Sequence, residues 1–187
     1  DFTVVVRQGG RLAGMGHCSV NSLHRNGQVQ RVGYLGELRT LPGTPALPRL
    51  LRDAYAFMAH TLADVYVDAF FTSIAVDNSR ARRVLERGRA LGLPTYRALA
   101  SLVTLVAPIG RSASRKADRV IIERGSDDTA GLTAFLQEQA SRTHLSLAWN
   151  SRQWSALARS GITPSDFHVV READRIVAAA AVWDQRA

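Results

Sequence analysis

A stretch near the start of this chain returns near its end, and that repetition limits how the 187 residues can be organised. FTVVVRQGGRLAGMG, from Phe2, resembles FHVVREADRIVAAAA, from Phe167. After a one-residue offset Arg7 matches Arg171 and Arg11 matches Arg175, both at the same separation (171 − 7 = 164). Leu12-Ala13-Gly14 then matches Ile176-Val177-Ala178. Each copy reads as a β-hairpin whose second strand is rich in small residues. A period near 164 residues suits one mid-sized domain. The chain therefore reads as running from the early hairpin of one domain to the same hairpin of a second, with both copies incomplete. It has no initiator methionine and opens on a strand-like run, as expected for a piece of a longer polypeptide.

The elements between the two hairpins follow from local pattern. Phe2–Arg7 and Leu12–Val20 are β-branched and apolar around Gln8-Gly9-Gly10-Arg11, a turn. Asn26-Gly27 marks the next turn and Val29–Leu41 the third strand. Three prolines, Pro42, Pro45 and Pro48, end it, and Pro48 fits the first turn of a helix. Leu50, Leu51, Ala54, Phe57, Met58 and Leu62 fall at helical spacing, so Pro48–Ala63 is expected to be an amphipathic helix. Val65–Val76 reads as a strand, Asp77-Asn78-Ser79 as a helix start, and Tyr96–Ile109 as a long strand. Residues 111–119 are small, polar and basic, and read as a linker between a first domain over 1–110 and a second over 120–187. The second domain is expected to hold a strand over Val120–Arg124, a helix capped by Asp127 or Asp128, a helical piece over Trp149–Ser160, and the closing hairpin. Gly161 to Pro164 separates the last two.

Composition narrows the function classes. The formal charge is +8, and Lys116 is the only lysine. Arginine in place of lysine, with much alanine, suggests a bacterial genome rich in GC. The arginines are scattered, which favours a generally basic surface over a nucleic-acid footprint. One cysteine, Cys18, excludes an internal disulfide framework and fits a reducing cytoplasm. No apolar run approaches the roughly 20 residues that span a bilayer, so no membrane partner is expected. His17, Cys18, His24 and His60 follow no zinc spacing, and no metal is expected.

Three local patterns carry a family resemblance. The first is Tyr34-Leu35-Gly36-Glu37-Leu38-Arg39-Thr40-Leu41-Pro42 leading into Arg49-Leu50-Leu51. The second is Asn78-Ser79-Arg80-Ala81 with Val84-Leu85-Glu86-Arg87-Gly88, and the third is Gly92-Leu93-Pro94-Thr95-Tyr96-Arg97. In order and spacing they resemble the GCN5-related N-acetyltransferase (GNAT) superfamily from its second strand onward. The resemblance implies an α/β (α+β) fold: a mixed, mostly antiparallel sheet flanked by helices, one partial copy followed by the start of another. It implies acetyl transfer from acetyl-CoA to a small-molecule or peptide amine.

The resemblance also implies a site. The diphosphate of the carrier would rest where the long strand turns into a helix, because the first N–H groups of a helix are unpaired and its dipole favours anions. The matching residues are Leu41, Thr44, Ala46, Leu47 and Arg49, although the family's Arg/Gly-rich loop is here proline-rich. Leu38 and Thr40 would pair with the pantetheine arm, with the Thr40 N–H facing the acetyl carbonyl. Glu37 would serve as the base, and Tyr34 as a packing residue. Asn78 would both cap its helix and approach the cofactor. Trp149 and Trp154, five apart, straddle a helix and are expected to pack against the sheet; the resemblance also places them in a region that roofs the acceptor pocket, where either would touch a substrate. Many members carry a tyrosine general acid seven residues after the asparagine. Counting from Asn78 gives Leu85, which cannot protonate a thiolate. Two readings follow: an acetyltransferase whose first copy is degenerate, or a non-catalytic binding or dimerisation module of the same fold. Incomplete copies can also complement one another within a chain or between chains, and in the second case a homo-oligomer is among the expected partners.

Overall fold

Two-residue turns fold the start of the chain into an antiparallel meander. Gly9 and Gly10 have φ of 57° and 78°, and Asn26 and Gly27 have φ of 51° and 76°. Such left-handed pairs match the right-handed twist of the strands they join. The strands are β1 (Phe2–Gln8), β2 (Arg11–Arg25) and β3 (Gln28–Thr40). The computed structural model describes residues 1–44, 47–103 and 121–183. The described residues form two compact units: residues 1–21 with 31–103, and residues 22–30 with 121–183.

In the first unit helix α1 (Leu47–Thr61) follows β3 and returns the chain to β4 (Ala69–Phe71), which pairs parallel to β3. A parallel neighbour requires such a crossover, and an amphipathic helix is the usual one. Helix α2 (Ser79–Glu86) comes next and is capped by Asn78, whose side chain accepts from the Ala81 N–H at 3.1 Å. A short 3-10 helix, Gly88–Leu91, ends on Gly92 in the left-handed conformation. The sheet order is β1-β2-β3-β4. Ala13, Cys18, Val32, Leu51 and Leu85 are among the buried apolar residues of this unit.

Two strand expectations need correction here. Val65–Val76 shrinks to Ala69–Phe71, because only three residues find a partner on β3. Residues 96–103 form no strand at all, and the remainder of the expected strand, 104–109, lies outside the described residues. So do the linker at 111–119 and Ala46.

In the second unit β5 (Ile121–Arg124), β7 (Phe167–Glu172) and β8 (Arg175–Ala181) form an antiparallel sheet in the order β5-β7-β8. Helix α3 (Thr129–Ser141) is capped by Asp128, and α4 (Ser151–Arg159) by Asn150. The short strand β6 (Ser146–Leu147) pairs with Leu23 and His24 at the tip of the β2–β3 hairpin. Leu132, Phe167, Val169 and Ile176 form the core, with Phe135, Leu136, Trp149 and Trp154 packed against it.

The hairpins β1–β2 and β7–β8 share one register. Arg7 faces Leu12 and Gln8 faces Arg11; Arg171 faces Ile176 and Glu172 faces Arg175. Both ladders shift at the same place, between Val6 and Arg7 in one and between Val170 and Arg171 in the other. Such irregularities are specific features of a strand pair rather than defects.

Candidate functional site

The long strand β3 loses its parallel neighbour part-way along. β4 pairs with it only at Val32–Ala69, Gly33–Phe70 and Tyr34–Phe71. From Leu35 to Thr40 no strand among the described residues covers that edge. The other edge stays on β2 to the end, since the Leu41 N–H donates to the Ala13 carbonyl at 3.0 Å. Backbone groups alternate from edge to edge along a strand. With Leu41 turned to β2, the N–H and C=O groups of Leu38 and Thr40 face the open edge.

Glu37 sits within this open stretch with φ of 53°, a left-handed conformation uncommon for a residue other than glycine. A residue of this kind costs on the order of 1–3 kcal/mol.

A cleft opens along the free edge. Leu38 and Thr40 of β3 form one wall, and Leu47 and Leu51 of α1 form its end. Asn78, Arg80, Ala81, Val84 and Leu85 of α2 form the other wall. The structure thus brings together Leu38, Thr40, Leu47 and Asn78, four of the residues expected to hold a cofactor. It adds Arg80, which stands in the Asn78-Ser79-Arg80-Ala81 pattern but was given no role from the sequence. Arg80 has no ion pair among the described residues, whereas Arg82 pairs with Glu86 at 3.3 Å.

The other expected residues divide. Thr44 cannot offer the donors expected of it: its N–H and its hydroxyl both go to the Leu41 carbonyl, at 3.3 and 2.6 Å. The tight turn after Leu41, with Gly43 at φ of 72°, uses them up. Leu41 spends its N–H on β2 and its side chain is exposed. Arg49 is exposed on the first turn of α1 and does not line the cleft. Glu37 is exposed at the open edge, and its neighbour Leu38, rather than Glu37 itself, lines the cleft. Leu85 is buried in the far wall. Tyr34 packs: its ring lies 5.1 Å from that of Phe71, and its hydroxyl is 2.8 Å from the Ser73 hydroxyl.

An apolar cavity adjoins the cleft between α1 and the sheet, sharing Leu38, Thr40, Leu47, Leu51 and Leu85 with it. Tyr55 and Tyr96 line this cavity, with their hydroxyls 2.7 Å apart. Burial is the main cause that pushes both phenols above their ordinary pKa, and Tyr55 pushes Tyr96 up further. Neither tyrosine was legible as a site residue, because one lies on a helix and the other on an irregular segment that α2 and its 3-10 extension carry back to it.

Trp149 and Trp154 belong to the second unit. Their rings are 5.0 Å apart and both stand edge-on to Phe167, at 6.1 and 5.5 Å. The Trp154 indole N–H donates to the Thr133 hydroxyl at 2.9 Å. These are packing contacts under α3 and α4. Among the described residues no three histidine, cysteine or carboxylate side chains gather as a metal site.

Several solved structures similar to this chain are N-acetyltransferases. An aminoglycoside N-acetyltransferase in complex with CoA is 16% identical with a TM-score of 0.40, over 55% of this chain and 75% of its own. A glucosamine-6-phosphate N-acetyltransferase from Arabidopsis thaliana is 9% identical with a TM-score of 0.39, over 54% of this chain and 65% of its own. A ribosomal-protein-alanine N-acetyltransferase from Brucella melitensis biovar Abortus 2308 is 13% identical with a TM-score of 0.39, over 58% and 69%. No protein-family model matches the sequence, and no curated protein matches it.

Proposed function

We propose that the cleft beside β3 binds acetyl-CoA and that the chain belongs to an N-acetyltransferase of the GNAT kind, acting on a small-molecule or peptide amine. The observation that carries this reading is the uncovered edge of β3 beyond Tyr34, with the backbone of Leu38 and Thr40 turned towards a cleft that ends on α1. An extended amide-containing arm can add to such an edge as a strand would, by backbone hydrogen bonds. Acetyl transfer forms a bond from the amine nitrogen to the thioester carbon and breaks the carbon–sulfur bond. The amine gives up a proton and the departing thiolate takes one. The Thr40 N–H would steady the carbonyl oxygen as charge develops on it. Glu37, one residue from the cleft wall, would take the amine's proton directly or through water. Asn78 would contribute its amide N–H while its oxygen caps α2, and Arg80 would add a cation to the same wall.

Two observations favour a second reading, in which this copy binds without catalysing. Leu85 offers no proton to a thiolate, and Thr44 has no free donor for a diphosphate. We propose further that the shared hairpin register reflects two tandem copies of one fold, so that catalysis can reside in the other copy.

Thr40→Pro tests the central point. Its N–H faces the open edge, so proline removes no ladder hydrogen bond and an edge strand tolerates it. Titration calorimetry with acetyl-CoA is expected to give saturable one-to-one binding to the wild-type chain. Thr40→Pro is expected to weaken it at least about tenfold, near 1.4 kcal/mol, with the far-ultraviolet spectrum unchanged. A folded wild-type chain that takes up neither acetyl-CoA nor CoA would end both readings of the cleft.

A further inference from the structure

The apolar cavity beside the cleft owes its room to absent side chains. Residues directly opposite one another on paired strands share a face of the sheet, and the register sets Val4 opposite Gly16 and Val6 opposite Gly14. Both pairs line the cavity, together with Leu50, Ala54 and Met58 of α1. The two glycines leave the floor low, and Ala54 adds only a methyl to the roof. The space between is about 90 Å³. Gly14 and Gly16 are glycines for different reasons. A Cβ at Gly14 would stand 2.9 Å from the Arg39 carbonyl oxygen, so the close approach of β3 accounts for it. A Cβ at Gly16 would have the Leu38 Cδ1 as its nearest neighbour, at 4.0 Å. Gly16 is not among the glycines of positive φ, and the β1–β2 ladder shifts only between Val6 and Arg7, well away from it. A glycine inside a strand marks a bulge, a sharp bend, a close backbone or a site that a ligand approaches. The first three do not apply to Gly16.

We propose that the cleft prefers a thioester whose acyl group is longer than acetyl: an uncharged chain of about four or five carbons, with its tail in the cavity between β2 and α1. The proposal rests on the reading of the cleft as a CoA site and names the acyl group that site selects. Leu38, Thr40, Leu47, Leu51 and Leu85 border both spaces. With the thioester carbonyl at the Thr40 N–H, the atoms beyond the carbonyl carbon stand at that shared border. An apolar cavity of roughly 150 Å³ encloses benzene, so one of about 90 Å³ takes about three or four carbons past the carbonyl. Such a cavity stays dry, and a methylene that enters it gains contacts without displacing bound water. Tyr55, one helical turn beyond Leu51, closes the space with Tyr96, and their hydroxyls satisfy one another at 2.7 Å. Arg39 also borders the cavity but is exposed, so a carboxylate-tipped chain finds no buried counter-charge in it.

Titration calorimetry of the full chain with CoA, acetyl-CoA, butyryl-CoA and succinyl-CoA tests the assignment. Butyryl-CoA is expected to bind at least about tenfold more tightly than acetyl-CoA, as the burial of two further methylenes provides. Succinyl-CoA has the same chain length with a charged end and is expected to gain nothing over acetyl-CoA. Gly16→Val raises the floor of the cavity, and the ratio of butyryl-CoA to acetyl-CoA affinity should fall to about one. Ala54→Leu lowers the roof from a helix position that accepts leucine, and should abolish the ratio in the same way if Gly16→Val does not fold. Failure of CoA itself to bind overturns the reading of the cleft and this proposal with it. CoA binding with equal affinities for the acetyl and butyryl forms overturns the acyl assignment alone. So does a preference for the succinyl form, or a butyryl preference that survives whichever of the two variants folds.

Discussion

At the scale of single residues, charge and backbone strain yield separate expectations. The hydrogen bond from Arg171 first, and the Gly131 N–H second, hold the Asp128 carboxyl below its ordinary pKa. A carboxyl depressed in the folded state adds stability above its unfolded value, 3.8, and loses it as the pH falls through the folded value. Asp128→Asn keeps an N-cap and removes the charge. It is expected to lower Tm at pH 7, with the gap from wild type closing on acidification below pH 3.8. A gap that stays constant down to about pH 2 would deny the ion pair its part. Glu37 gives the second expectation. If it takes the amine's proton, Glu37→Gln should leave acetyl-CoA affinity unchanged and lower kcat by about 10²-fold or more. Unchanged turnover would remove Glu37 from the chemistry, leaving its left-handed backbone as its one distinction.

At the scale of elements, what was legible depended on whether the signal was local. The hairpins were, because Gly9-Gly10 and Asn26-Gly27 dictate the turns. The helices α1, α2 and α3 were, because apolar spacing runs through α1 and Asn78 and Asp128 cap α2 and α3. Strand lengths were not, since a strand exists only where a neighbour pairs with it. Val65–Val76 has the composition of a strand but meets β3 over three residues, and residues 96–103 pair with no strand among the described residues. The same limit governs the cleft. Leu38, Thr40, Leu47 and Asn78 were legible through family resemblance, whereas Arg80 and the Tyr55–Tyr96 pair emerge only when α1 and α2 close on the sheet. The short β3–β4 contact that creates the open edge can itself be tested. A Cβ at Gly33 would stand 2.5 Å from the Phe70 ring. Gly33→Ala is therefore expected to cost about 1–3 kcal/mol in urea unfolding and to speed hydrogen exchange over Ala69–Phe71. Gly33→Ala with Phe70→Ala should recover the exchange protection, and a single variant as stable as wild type would show that the ring moves aside freely.

At the scale of the molecule, the question is whether the two compact units unfold as one. Each carries a core of its own and, by chance of sequence, a probe of its own. All three tryptophans, Trp149, Trp154 and Trp183, lie in the second unit. The single thiol, Cys18, is buried in the first, and burial raises its pKa and slows its reaction while that unit is folded. Leu132 is fully buried at the centre of the second core. Leu132→Ala is expected to cost about 2–5 kcal/mol there. With a urea dependence of about 1–3 kcal/mol/M, the fluorescence midpoint should fall by at least roughly 0.7 M. The urea midpoint for labelling of Cys18 should not move, because its neighbours on β1 and α1 do not depend on Leu132. The strands β2 and β3 both cross from one unit into the other, at Ser22 and at Arg31, and a loss in one core could reach the other along them. If both midpoints fall together, the chain unfolds as a single cooperative body.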